Sequence, residues 1–241
     1  MREGCSFSLG KALIRREALE LTEQLIAIFA SKRHAIDRFR QTVQLHFEDN
    51  PDLFNNGRAI VHSTKSRLKD ENHLREKISR KLAEGRTINE ENFFSEITDL
   101  AGVRVLLLYQ EDFAIINRAI RDKIENQGDW IFAEEPIVYT WDPENTAYFE
   151  SLGLKPKLKS SSYTSVHYLV RPHDKSPVHC EIQVRTLFEE IWGEVDHHLN
   201  YPSPTENSAL SEQIKVLSKI VGAGSRLLDS INRVKSLEES L

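Results

Sequence analysis

The feature that most constrains this chain is a switch in its hydrophobic period. From Leu21 the apolar residues Leu25, Ile28, Phe29, Ile36, Phe39, Val43 and Phe47 recur at three- and four-residue steps, which builds one buried stripe on a helix. Between Ala101 and Tyr109 the apolar residues instead run together, in a stretch too short and too rich in valine and leucine for an exposed helix, so a buried strand is predicted. A helical pattern follows (Phe113, Ile116, Ala119, Ile120, Ile124), then a strand over 136–141, a loop containing Pro and Lys, and two alternating segments, 163–170 and 178–185. After Thr186 the helical step returns at Leu187, Ile191, Val195 and Leu199. Strands and helices interleave, so the expected class is α+β, a mixed sheet of about five strands flanked by helices, with helical extensions at both ends.

The first helix, or two abutting helices, should end before Pro51, and a second (Leu74, Ile78, Leu82) starts after Asp70, which can cap its free amides. The stretch 84–92 reads as a loop. The turn Tyr201-Pro202-Ser203-Pro204 closes the central body, and a last helix places Leu210, Ile214, Leu217, Val221, Leu228 and Ile231 on one seam, with Gly224 at its missing position. That seam packs on its own domain or on a second subunit, so a homo-oligomer through the C-terminal helix stays open. The division is therefore a helical extension over 1–58, a site-bearing domain over 59–201 and a C-terminal helix over 202–241. A chain of 241 residues buries a core without staples. Cys5 and Cys180 are far apart, no apolar run nears the ~20 residues of a membrane span, and the N-terminus is polar, so a reduced, cytoplasmic protein with no membrane partner is expected. The net charge of −5 opposes wholesale coating of nucleic acid and leaves room for a local basic patch.

If 65–69 is extended, Lys65, Arg67 and Lys69 share a side, and the following helix adds Lys77 and Arg80. Such a cluster suits triphosphate oxygens, although a solvated basic face explains the same run. Asp99 precedes the buried strand that carries Arg104, and alternation sets Glu181, Gln183 and Arg185 opposite Cys180, Ile182 and Val184. Carboxylates from separate strands can hold Mg2+, which takes few protein oxygens and completes its shell with water and phosphate; structural ion pairs with arginine account for them equally. Tyr163, Ser165 and His167 alternate with Thr164, Val166 and Tyr168. That setting suits Tyr163 to stacking on a purine, with Lys155, Lys157 and Lys159 ahead of it for phosphates; a core tyrosine behind a solvated loop is the ordinary alternative. No phosphate-cradling glycine motif occurs, so phosphate binding must rely on side chains. Asp196-His197-His198 point different ways on a helix and share no ion.

Together, Asp99-Leu-Ala-Gly-Val-Arg104, Tyr163-Thr-Ser-Val-His167 and Glu181-Ile-Gln-Val-Arg-Thr186, followed by Trp192 and His197, resemble the synthetase domain of the RelA/SpoT family, above all its small single-domain alarmone synthetases. The similarity runs from about Ile60 to Tyr201 and implies a nucleotidyltransferase-like fold that moves the β,γ-pyrophosphate of ATP to the 3′-hydroxyl of GDP or GTP, making (p)ppGpp. It implies that Arg67, Lys69 and Lys77, with Lys65 beside them, hold ATP phosphates and that Arg104 supports the donor side. Asp99 binds magnesium, and Glu181 is a second metal ligand or the base for the attacking hydroxyl. On the acceptor side Tyr163 stacks on the base, Lys159 and His167 meet phosphates, and Gln183 and Arg185 line the site. The pattern departs where the family carries Asn-Gly before the tyrosine and arginine after it, since Ser161-Ser162 and Thr164 stand here, and where a serine of the ATP-binding helix aligns with His73. The acceptor thus stays open among GDP, GTP, an adenine nucleotide and, as in toxin members with an antitoxin partner, the 3′ end of tRNA; a non-catalytic nucleotide-binding module is the reading from another class. The family's hydrolase domain has no counterpart in the short N-terminus.

Overall fold

A computed structural model describes residues 3–55, 57–158, 163–201 and 204–238, with side chains from Arg16 onward, Asn55 excepted. One unbroken helix, α1 (Glu3–Glu48), opens the chain, and its stripe Leu25, Phe29, Ile36, Val43 and Phe47 is buried. A short hairpin of β1 (Phe54–Asn55) and β2 (Arg58–Ala59) leads to β3 (Val61–Leu68). Helix α2 (Glu71–Ala83) starts at Asp70, whose carboxylate accepts from the amides of Asn72 and His73, as the sequence reading expects. Then come α3 (Phe93–Glu96), β4 (Ala101–Leu107), α4 (Phe113–Glu125), β5 (Ile131–Thr140), α5 (Pro143–Ser151), β6 (Lys155–Leu158), β7 (Ser165–Arg171), β8 (Cys180–Thr186), α6 (Leu187–Asn200) and α7 (Ser208–Glu238). No helix among the described residues is long and apolar enough to cross a membrane.

The main sheet has six strands in the order β3-β4-β8-β7-β5-β6, with β4 and β8 parallel, β5 and β6 parallel, and the other neighbours antiparallel. The sequence reading falls one strand short because 155–158 forms a strand by pairing along β5, although its residues are mostly exposed and carry no apolar alternation. It also misses α5, whose start is marked locally: Asp142 accepts from the amide of Glu144, and Pro143 fills the first turn. Strand β5 begins earlier than expected, and Pro136 fits because the pairing slips between Glu134 and Ile137.

One face of the sheet carries Val103, Val105, Val166, Tyr168, Cys180, Ile182 and Val184, all buried in a single core with α1 and α4. Tyr168 donates to Asn117 of α4 at 2.8 Å. The register makes the opposite face polar: Arg67, Gly102 and Glu181 form one row, and Lys65, Arg104, Gln183 and His167 form the next. Helix α6 stands over this face. Helix α7 packs on α6 through Ile214 and Val221, which cluster with Trp192. The seam seen in the sequence is thus turned largely toward the chain's own body, and Gly224 sits where a Cβ would come within 2.9 Å of the Phe188 ring.

Candidate active site

Three elements converge on Asp99. It lies two residues before β4, where Lys69, just past β3, reaches one carboxylate oxygen at 2.7 Å and Lys77 of α2 reaches the other at 2.7 Å. Burial pushes its pKa up, and the two ammonium groups more than reverse this, holding it down at about 2. Arg67, exposed at the end of β3, adds its charge to this corner and has no ion pair among the described residues. Arg80, expected beside Lys77, is exposed and stays out of the cluster.

On β8, one position across from Gly102, Glu181 accepts from Gln183 at 2.8 Å and meets Nδ1 of His167 at 2.9 Å. Burial raises its pKa, the bonds from His167 and Gln183 outweigh that, and the net shift is downward; the charge of Asp99 works the other way, so the two carboxylates lie within electrostatic reach of each other. Between Arg67 and Glu181 the row has only Gly102, which leaves the floor clear of side chains.

The polar network continues. Arg185 donates to Gln183 at 2.9 Å and stands 3.5 Å from Glu190 of α6. Glu190 also binds Lys65 at 2.7 Å and Arg104 at 2.8 Å, and Glu194, one turn on, binds Arg104 at 3.0 Å. A Cβ on Gly193 would lie 2.6 Å from the Arg185 guanidinium, so any larger residue here would push the end of that side chain aside.

Strand β7 begins at Ser165, leaving Tyr163 ahead of it rather than inside the alternation. Its ring stacks on Trp192 with centroids 5.6 Å apart and planes 9° apart, and burial raises its hydroxyl to about 12. The amide of Thr164 donates to Glu189 at 3.0 Å, and burial lifts that carboxyl to about 7. Lys155 and Lys157 on β6 pair with Ile137 and Tyr139 and so share the polar face; Lys159, Ser161 and Ser162 lie outside the described residues.

The site-face residues of the sequence reading thus fall into three groups. Lys69 and Lys77 hold Asp99, His167 and Gln183 hold Glu181, and Lys65, Arg104 and Arg185 gather around Glu190, with Arg185 joined to Gln183. The sequence reading passes over Glu189 and Glu190, because acids in a helix's first turn read as partners of its dipole, and over Gly193 and Glu194, whose contacts with Arg185 and Arg104 are set by the packing of α6 on the sheet. Buried atoms with no hydrogen-bond partner among the described residues include Nε2 of His167, Nε of Arg185 and Oε2 of Glu190, which suits a face built for a polar ligand. No group of three or more His, Cys, Asp or Glu side chains able to hold a metal occurs among the described residues. The pair Asp99 and Glu181 fits a hard divalent ion that draws its other ligands from phosphate and water.

A profile described as "Region found in RelA / SpoT proteins" matches residues 66–206. A search of curated proteins finds no match. Among solved structures, the small alarmone synthetase 1 from Bacillus subtilis is 17% identical with a TM-score of 0.61, covering 90% of this chain and 99% of that one. The same protein bound to its product pppGpp gives 19% and 0.57 over 90% and 99%, and bound to AMPCPP 16% and 0.57 over 89% and 98%. At these identities the likeness establishes the fold.

Proposed function

This chain belongs to the RelA/SpoT family, and on that premise we propose that it is a pyrophosphokinase moving the β,γ-pyrophosphate of ATP to the 3′-hydroxyl of a guanosine nucleotide. The observation that carries the reading is that Asp99, in the loop leading into β4 and held by Lys69 and Lys77, lies within electrostatic reach of Glu181 on the neighbouring β8, with the charge of Arg67 close by. The structures of the Bacillus subtilis synthetase with pppGpp and AMPCPP support nucleotides as ligands here.

In this reaction the acceptor's 3′-oxygen bonds to the β-phosphorus, the bridge to the α-phosphate breaks, and AMP leaves. Arg67, Lys69 and Lys77 neutralise the donor phosphates, with Lys65 and Arg104 extending the grip once Glu190 releases them. Asp99 and Glu181 would hold Mg2+, which supplies charge neutralisation at the transferring phosphates. Glu181, ionised and fixed by His167 and Gln183, is also placed to receive the hydroxyl proton. Tyr163, backed by Trp192, offers a flat surface for the acceptor base, and Arg185, His167 and the lysines of β6 line the approach of its phosphates.

Incubation with ATP labelled at its γ-phosphate, Mg2+ and a panel of GDP, GTP, adenine nucleotides and tRNA tests this. Labelled tetra- or pentaphosphate is expected from the guanosine acceptors. Label appearing only in tRNA, or nowhere beside an active control enzyme, rejects the reading. Glu181→Gln should lower product formation by about 10²-fold or more while ATP binding, followed by calorimetry, persists.

A further inference from the structure

Helix α6 grips the two residues ahead of β7 at two points. Glu189 and Trp192, three residues apart and so on one helix face, are 4% and 3% exposed. Glu189 accepts from the amide of Thr164 at 3.0 Å, while the Trp192 ring stacks on Tyr163. Thr164 is buried as well, and its hydroxyl is held by Asn145 at 3.2 Å and by the Thr140 hydroxyl at 3.0 Å. An acid in the first turn of a helix serves the dipole just as well from the surface, where it keeps its water. A buried carboxyl is costly, and a neutral acceptor would satisfy the Thr164 amide. Neither capping of α6 nor satisfaction of that amide therefore accounts for a glutamate here.

We propose that Glu189 is the positioning residue of the acceptor side: its carboxylate holds the Thr164 amide and so fixes the Tyr163 ring at the angle that receives the acceptor base. This rests on the reading of Tyr163 as the stacking residue. Glu189 touches no reacting atom and acts through its neighbour. Burial raises its pKa to about 7, against the pull of the Thr164 amide and of Arg185. The charged and titratable groups that face it are Arg185 on β8, Asp142 ahead of α5, which Arg226 of α7 engages, and Tyr163. Above neutrality the bond to Thr164 is charge-assisted. Below it the carboxyl is neutral and the bond loses about half its strength. The acceptor's affinity should therefore rise with pH through neutrality, while ATP, gripped by Lys69 and Lys77 at the other end of the site, should not follow this group.

Glu189→Gln keeps the shape and an acceptor for the amide, and it never carries charge. The full chain and this variant are titrated by calorimetry with an α,β-methylene analogue of ATP and Mg2+, then, with the analogue saturating, with GDP or ADP, from about pH 6 to about pH 8.5. The Thr164 amide is followed by NMR over the same range. Its resonance should titrate near neutrality in the wild type and stay flat in the variant. At the alkaline end the variant should bind the diphosphate about fivefold more weakly, the difference between a charged and a neutral acceptor. That gap should close at the acid end, and the analogue should bind both proteins alike. Other groups that titrate near neutrality, the acceptor's phosphates among them, are common to both proteins and cancel in the comparison. A Thr164 amide that does not titrate, a diphosphate affinity equal in the two proteins, or an equal loss for the analogue would overturn the proposal and leave the transfer reaction standing. No diphosphate bound by the wild type at any pH would instead reject the acceptor reading of Tyr163, and the proposal with it.

Discussion

Asp99 keeps its charge between two lysine ammonium groups, and that arrangement has a sign. Its pKa falls from 3.8 to about 2 on folding, so its contribution is present above the unfolded value and is lost as the pH drops from about 4 toward 2. The shift corresponds to about 2 kcal/mol. Asp99→Asn should therefore flatten the acid limb of stability in that window and lower stability at neutral pH by a similar amount, read from urea denaturation at several pH values. The same substitution removes a proposed metal ligand and should reduce pyrophosphate transfer more severely than it reduces stability. An acid limb unchanged by the substitution would show that Lys69 and Lys77 are not its partners in solution.

Strand β8 and helix α6 form a single device at the level of elements. Thr186 ends the strand and caps the helix by accepting from the amide of Glu189, so the turn fixes how Arg185 meets the first turns of α6. Gly193 faces the Arg185 guanidinium. In Gly193→Ala the added methyl would displace the far end of a flexible side chain, which is cheap for the fold: stability should move by less than about 1 kcal/mol. Acceptor KM should rise by about tenfold, the scale of one charge-assisted hydrogen bond, with ATP KM little changed. Equal loss on both substrates would place Arg185 elsewhere in the reaction.

Across the whole molecule, α7 is joined to the acceptor side of the site. Asp229 accepts from the amides of Gln110 at 2.8 Å and Glu111 at 3.4 Å. The Gln110 side chain donates to Asn145 at 2.8 Å, and Asn145 donates to Thr164, beside Tyr163, at 3.2 Å. From the other end of the helix, Ile214 accepts a hydrogen bond at 3.2 Å from Trp192, on which Tyr163 stacks. Asp229→Ala leaves two backbone donors without their partner, so it should cost about 1–3 kcal/mol and weaken acceptor binding ahead of ATP binding, as titration calorimetry of each nucleotide would detect. A variant that loses stability alone would confine α7 to a structural role.

The local patterns in the sequence determined the types of most elements and the sides their residues take. Three- and four-residue steps mark α1, α2, α4 and α6, and a period of two already sets Glu181, Gln183 and Arg185 against Cys180, Ile182 and Val184, because a repeat along one chain needs no knowledge of neighbours. Asp70 as a cap is legible for the same reason. Only the tertiary structure decided that β4 lies beside β8, which brings Asp99 within reach of Glu181, and that Glu190 and Glu194 answer Lys65 and Arg104. It alone made 155–158 a strand and divided α7 into an inner and an outer face. Those outcomes are pairings between residues far apart in the chain, selected by which surfaces pack together, and no repeat within either partner specifies the other.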